Sequence, residues 1–139
     1  MSWLGWALGS AAFAALTAIF GKIGVSGVPS DYATVLRTIV ILAFAGAIVA
    51  ATGQWRSPAE LPGRTLLFLG LSGLATGASW LCYYRALQLG QAAQVAPIDK
   101  LSVVLVAVFG AMFLSEKLSV ANWAGVGLIA AGAVLVAWR

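Results

Sequence analysis

Val95-Ala96-Pro97-Ile98-Asp99-Lys100-Leu101-Ser102 opens an apolar run that continues to about Leu114. A proline, a carboxylate and an ammonium thus sit inside a segment that otherwise reads as a membrane span. A charge at the centre of a spanning helix costs roughly 2.5–3.5 kcal/mol on insertion scales. Groups that expensive are expected to face a cavity or another helix, not lipid. The stretch is therefore read as lining a cavity through which something polar passes.

The surrounding chain supports the membrane reading. Of 139 residues, 62% are hydrophobic and 9% charged, with a mean hydropathy of +0.99. Ordinary soluble domains carry about 45–50% apolar and about 25% charged residues, and this much apolar surface has no place to hide in water. Spanning takes about 20 apolar residues, and five runs fit: roughly 3–25, 31–52, 65–89, 92–114 and 120–138. The fold class expected is an all-α membrane protein of five transmembrane helices in a single domain over residues 1–139. The opening run lacks the basic region and cleavage site of a signal peptide and is too long for one, so it reads as the first span.

Charge and cysteine usage narrow the function classes. The net charge is +4 and the pI about 9.7, but the cations are scattered singly between apolar runs. Membrane topology explains that better than nucleic acid. There is no His and one Cys, Cys82. Metal ligation, a disulfide framework and Cys/His nucleophilic chemistry are disfavoured. No glycine-rich phosphate loop or paired-carboxylate site is present, so neither a cofactor nor an enzyme is expected.

Each run carries its own punctuation. Trp3 and Trp6 anchor the first, Gly5 and Gly9 permit close helix approach, and Lys22 lies near its end. Ser30 or Asp31 is expected to cap the second, with Arg37 two turns inside. The loop from Gly53 to Arg64 holds two prolines. The third run ends Ser79-Trp80-Leu81-Cys82-Tyr83-Tyr84-Arg85 and breaks at Gly90. Ser115-Glu116-Lys117-Leu118-Ser119 is a tight turn with Ser119 as cap, and the last run has a small-residue face of Ala121, Gly125, Gly127 and Gly132 before stopping at Arg139.

Alternating helix directions bring Lys22, Arg37, Arg85, Asp99 and Lys100 toward one membrane face. At about 1.5 Å rise per residue, Arg37 lies on the order of 9 Å in and Lys100 on the order of 12 Å in. Neighbours on a helix point about 100° apart, so Asp99 and Lys100 are not expected to pair with each other. Arg37, then Arg85, is the expected partner of Asp99. Pro97 cannot donate to the Ala93 carbonyl and is expected to kink the helix just before the charges. Bland readings stand beside these. Lys22 and Arg85 can snorkel to the interface, Asp99 can be an ion-pair partner rather than a proton carrier, and Trp80, Tyr83 and Tyr84 can be packing or interface belt.

With five spans the termini lie on opposite sides, and the shallow cations divide evenly: Arg56, Arg64 and Lys117 on one side, Lys22, Arg85 and Arg139 on the other. The positive-inside rule works through asymmetry and here gives almost none. Either something else sets the orientation, or the chain inserts both ways and pairs head to tail. Two oppositely inserted halves create a mid-membrane site able to open to either side.

The span Tyr83 to Trp138 resembles the second part of an EamA-type domain of the drug/metabolite transporter superfamily. The residues that carry the resemblance are Tyr84-Arg85-Ala86-Leu87, Ala92-Ala93-Gln94-Val95-Ala96-Pro97, Leu114-Ser115-Glu116-Lys117-Leu118-Ser119 and Gly125-Val126-Gly127-Leu128-Ile129-Ala130-Ala131-Gly132. The first two runs match mainly through an Ala-rich first helix and Lys22. Longer members have ten helices as two inverted five-helix halves; this chain looks like one half, as in the short bacterial and archaeal members. The closing pattern is also similar to the dimerising last helix of small multidrug resistance transporters. Ser115 departs from the glycine the family usually has there, and the first run lacks the carboxylate through which small multidrug resistance proteins couple protons.

The resemblance implies transport; with the balanced cations it leads to the expectation of a multi-pass protein of the cell (inner) membrane that moves a small metabolite by alternating access as an antiparallel homodimer. The pathway residues expected are Arg37, Pro97, Asp99 and Lys100, with Trp80, Tyr83 and Tyr84 as walls. A net positive site favours an anionic substrate. The alternative is a non-transporting membrane subunit, or one handling lipid-linked precursors.

Overall fold

In the computed structural model, which describes residues 2–138, every long segment is helical. The elements are α1 (Trp3–Gly24), α2 (Ser30–Ala51), a 3₁₀ turn at Pro58–Glu60, α3 (Gly63–Leu89), α4 (Ala92–Asp99), α5 (Ser102–Phe113) and α6 (Val120–Ala137). Among the described residues, five segments are long and apolar enough to cross a membrane, α4 and α5 together forming the fourth, Ala92–Phe113. The fold is an all-α, five-span membrane protein. Arg139 lies outside the described residues.

Local chemistry sets the ends. Pro29 (φ −54°, ψ 130°) precedes α2, so the helix starts at Ser30 with no side-chain cap. The Ser30 hydroxyl turns instead to Asp31 Oδ1 at 3.1 Å; the expected Ser30 or Asp31 cap is absent because the proline geometry begins the helix one residue early. Ser119 does cap α6, its Oγ accepting from the Asn122 N–H at 3.2 Å. Threonines inside spans back-bond to the carbonyl four residues earlier, as at Thr34 to Ser30 (2.9 Å) and Thr38 to Thr34 (2.8 Å), which leaves no bare hydroxyl proton in lipid.

The fourth span is interrupted. The sequence predicts one helix kinked ahead of the charges; instead α4 ends at Asp99 and α5 begins at Ser102. The Leu101 N–H donates to Ile98 O, the Val103 N–H to Lys100 O and the Val104 N–H to Leu101 O, each at 3.0 Å. These are three-residue steps, tighter than the α-helical four. The tightening follows Pro97 by one turn and falls at the charges, with Lys100 inside the break, rather than before them.

The chain divides into two compact units. One comprises Gly21–Gln88; the other joins the stretch up to Phe20 with the stretch from Leu89 onward. In the second, α6 lies along α4 and, over a shorter length, α5. There, too, the turn after α5 holds Ser115 at φ 56°, and Gly110 O accepts from the N–H groups of both Leu114 and Glu116 at 3.1 Å. A Cβ built on Gly125, Gly127 or Gly132 meets nothing within 4 Å among the described residues.

In the Gly21–Gln88 unit the core gathers at one end of its helices. Leu87 is 0% and Val25 1% exposed, with Tyr84, Thr34 and Ser30 also buried. The turn between α1 and α2, with Gly27 at φ 75°, closes over them. Gln88 Nε2 donates to Val25 O (3.2 Å) and Val28 O (2.6 Å), tying the end of α3 to that turn. Along the spans the picture reverses: within the most apolar window of each, only 0 to 11% of residues are buried. Their apolar surface is solvated by the bilayer and by whatever chains pack there, the arrangement expected where lipid is the solvent.

Candidate functional site

Trp80, Tyr83 and Tyr84 stand at i, i+3 and i+4 on α3 and so share one face. Trp80 meets Tyr83 edge-on at 5.3 Å between ring centres (79°) and Tyr84 at 5.5 Å (85°). Such edge contacts are worth about 0.5–1.5 kcal/mol beyond burial and fix ring orientation. Tyr84 is buried, and the end of α1 makes room for it. A Cβ at Gly21 would lie 3.2 Å from Tyr84 Cε1, 3.5 Å from its hydroxyl and 3.5 Å from Leu87 Cδ1. Glycine leaves room for this approach; a Cβ here would require Tyr84 to give by a few tenths of an ångström.

Arg37 of α2 comes onto this face. Its Cζ sits 3.2 Å from the Trp80 ring centroid and 5.8 Å from that of Tyr84. The guanidinium is stacked on the indole at van der Waals distance. Arg37 is half-buried and about 10 Å along α2 from Ser30. Four of the residues singled out in the sequence, Arg37, Trp80, Tyr83 and Tyr84, therefore form one cluster.

A second feature flanks the same helix pair. An apolar cleft of about 290 Å³ is lined by Thr34, Thr38 and Leu42 of α2 and Gly77 and Leu81 of α3, among others. At about 100° per residue, Thr34, Thr38 and Leu42 fall within one 80° sector of α2, and Arg37 projects about 60° round from Thr34 on the other side. The cation and the apolar cleft thus occupy opposite flanks of the α2–α3 seam.

Pro97, Asp99 and Lys100 belong to the other unit, at the interruption of the fourth span. Lys100 Nζ pairs with Asp99 Oδ2 at 3.3 Å, with side chains 55% and 36% exposed respectively. This corrects the expectation that the two point too far apart to meet. The regular helix stops at Asp99, and the four-carbon stem of Lys100 is long enough to reach back across the tightened turn. Arg85 is exposed.

Lys22 does something the sequence did not signal: its ammonium donates to Leu87 O, the carbonyl near the end of α3. A cation at a helix C-terminus is favoured both as donor and by the helix dipole. With Val25, Ser26, Gly27, Leu87 and Gln88 it lines a small cavity of about 250 Å³. Gly21 and Gln88 were equally silent in the sequence, since one glycine among many and one amide at a helix end carry no pattern.

Comparison with known proteins fits this architecture. The model of the EamA-like transporter family matches residues 1–138. A protein of Sinorhizobium sp. described as "Uncharacterized transporter in cobO 3'region" is 68% identical over 136 residues, covering 98% of this chain and 96% of that one. A "Probable 4-amino-4-deoxy-L-arabinose-phosphoundecaprenol flippase subunit ArnE" from Hamiltonella defensa subsp. Acyrthosiphon pisum is 29% identical over 103 residues, 73% of this chain and 91% of that one. No solved structure gives a significant match.

Proposed function

The chain belongs to the EamA-like transporter family, and from that premise we propose that it carries a small polar metabolite across the inner membrane by alternating access, as an antiparallel pair of identical chains. The observation that carries the reading is the interrupted fourth span. The break at Lys100 and Leu101 lies about 12 Å along that span, and an exposed ion pair sits on it. Irregular backbone and unshielded charge at membrane depth are stable only against protein or in a water-filled cavity. Discontinuous helices of this kind form the mid-membrane sites of transporters whose halves are inverted repeats. A lone five-span unit regains that symmetry by pairing head to tail. Pro97, Asp99 and Lys100 then line the path on one element, and Arg37 with Trp80, Tyr83 and Tyr84 on another.

The orientation is tested by fusing a side-specific reporter to the C-terminus. Signal from both sides supports the antiparallel pair of identical chains; signal from one side alone overturns it. The aqueous path is tested with Lys100→Cys on a Cys82→Ser background, labelled with a membrane-impermeant maleimide in cells and in inverted vesicles. Labelling is expected, and its absence from both sides removes the cavity at position 100.

A second reading has a specific observation behind it. The relative from Hamiltonella defensa is named as a subunit of a flippase for a lipid-linked sugar. On this reading the chain pairs with a different, oppositely inserted chain and handles a lipid-linked precursor. A single C-terminal location, together with co-purification of a second small membrane protein, is the result that selects it.

A further inference from the structure

Within its own unit, Gly21–Gln88, the Arg37 guanidinium is held by rings rather than by a carboxylate. That unit has two acidic residues: Asp31 receives the Ser30 hydroxyl, and Glu60 belongs to the 3₁₀ turn between α2 and α3. Among the described residues of the unit, Arg37 meets the rings of Trp80 and Tyr84. The indole offers no oxygen, and the Tyr84 phenol offers one acceptor at most, so most of the five N–H donors of the fork are left for a ligand.

The stacking decides what such a fork can take. Trp80 covers one face of the planar guanidinium at 3.2 Å, which leaves the N–H edges in plane and accessible. That is the geometry for bidentate hydrogen bonding to a carboxylate or phosphate. The plane is set beforehand, since Trp80 is held edge-on by Tyr83 and Tyr84 and Tyr84 is wedged against Gly21. Preorganisation of that kind lowers the entropy lost on binding. The same stack argues against a cationic ligand. A Trp/Tyr/Tyr cluster is otherwise a cation–π receptor, but here the chain's own guanidinium occupies the indole face and repels a second cation.

We propose that Arg37, laid flat on Trp80, is the recognition point for an oxyanion, a carboxylate or phosphate group borne by a free solute or a lipid headgroup. This deepens the proposed path along α2 and α3 and rests on it for its role, but its test reads binding alone and so stands apart from whether access alternates.

The chain is purified in dodecyl maltoside micelles, which are uncharged and free of phosphate, with ¹⁵N-labelled arginine. The Arg37 Nε resonance is the one missing in Arg37→Lys. Benzoate and phenyl phosphate report the free-solute source, dioleoyl phosphatidic acid in the same micelles the lipid source, and benzylammonium is the cationic control. Saturable movement of the Arg37 resonance by a soluble probe supports the proposal with a solute as source; movement by phosphatidic acid alone supports it with a lipid headgroup as source. Arg37→Lys, which keeps the charge and loses the fork, is expected to weaken binding about tenfold or more. Trp80→Leu, which keeps Arg37 and frees its plane, is expected to weaken it about fivefold. Arg64→Lys, an equivalent change beside the Phe68 ring 5.8 Å away, is expected to leave binding unaltered. The proposal is overturned if no anionic probe moves the Arg37 resonance, if benzylammonium binds as well as benzoate, or if Arg37→Lys, still helical and monodisperse, binds as the parent does.

Discussion

Gly21→Leu tests whether the close approach of α1 to α3 holds the aromatic cluster in place. A Cβ at this position falls 3.2 Å from Tyr84 Cε1 and 3.5 Å from Leu87 Cδ1. Neither neighbour is the loose end of a flexible side chain. Leu87 is fully buried, and Tyr84 is pinned edge-on against Trp80 at 5.5 Å. Overpacking a closed site costs about 1–3 kcal/mol. Replacing a helical glycine recovers about 1 kcal/mol in propensity, so Gly21→Ala comes out near neutral while Tyr84 moves by a few tenths of an ångström. Leucine recovers no more propensity and adds three more carbons to the same space, for a net loss of about 2 kcal/mol. Gly24, on the same helix, has open space around it; Gly24→Leu carries the same propensity change without the clash and is expected to be neutral or slightly stabilising. Unfolding both variants with SDS in mixed micelles, followed by helical ellipticity, gives the difference directly. Removing the ring in Gly21→Leu/Tyr84→Ala should return a coupling of about 1 kcal/mol or more. Equal stabilities for the two leucine variants would refute the wedge, and with it the account of how Trp80 is held.

Three further outcomes follow from the same geometry. Ser115 is a non-glycine at φ 56°, where an L-residue pays about 1–2 kcal/mol; after the larger chain entropy of glycine is set against this, Ser115→Gly should stabilise by about 0.5–1 kcal/mol and Ser115→Val should destabilise, both read by the same SDS titration. A Cβ on Gly110 would meet Glu116 Oε2 at 2.7 Å, but that is the free end of an exposed side chain that can move aside, so Gly110→Ala should keep most of the helix-propensity gain, stabilise by about 0.5–1 kcal/mol and shift the Glu116 carboxyl resonance. Lys22→Met removes the donor to Leu87 O and should cost about 1.5–3 kcal/mol, the value of a hydrogen bond to a charged group, with Lys22→Arg largely restoring it.

What was legible in the sequence follows from what a bilayer demands. About 20 apolar residues are needed per crossing, and the chain writes them five times, so the all-helical, five-span class could be read without a structure. The residue types of the candidate site were legible for the same reason, since a cation two turns inside a span is conspicuous wherever it occurs. The contacts were not. In lipid a helix is apolar all round and carries little facial pattern, so nothing in the runs says which side of α2 meets which side of α3. Arg37 and Trp80 are separated by most of two helices, and their stack could not be deduced. Asp99 and Lys100 were misjudged for a different reason. The 100° rule holds for a regular helix, and the chain leaves the regular helix at that residue. Glycine at 115 is what the EamA resemblance led one to expect, and the positive φ of Ser115 shows why the position favours it.

The choice of a ring rather than a carboxylate beside Arg37 has a consequence for any cycle of loading and release. A carboxylate partner would satisfy the guanidinium and compete with an incoming anion, so each binding event would first have to break an ion pair. Left bare, the guanidinium would make the empty state costly, by an amount up to the roughly 2.5–3.5 kcal/mol of a charge at mid-depth. The Trp80 stack at 3.2 Å lies between these. A desolvated cation–π contact returns about 2 kcal/mol, enough to offset much of the penalty, yet it consumes none of the N–H donors. An oxyanion can then add to the site without displacing anything and leave without stranding an unshielded charge. On the proposed reading that balance is what a carrier needs and a static anchor does not, so Trp80→Asp should pin Arg37 in an internal ion pair, keep the chain folded and abolish anion binding.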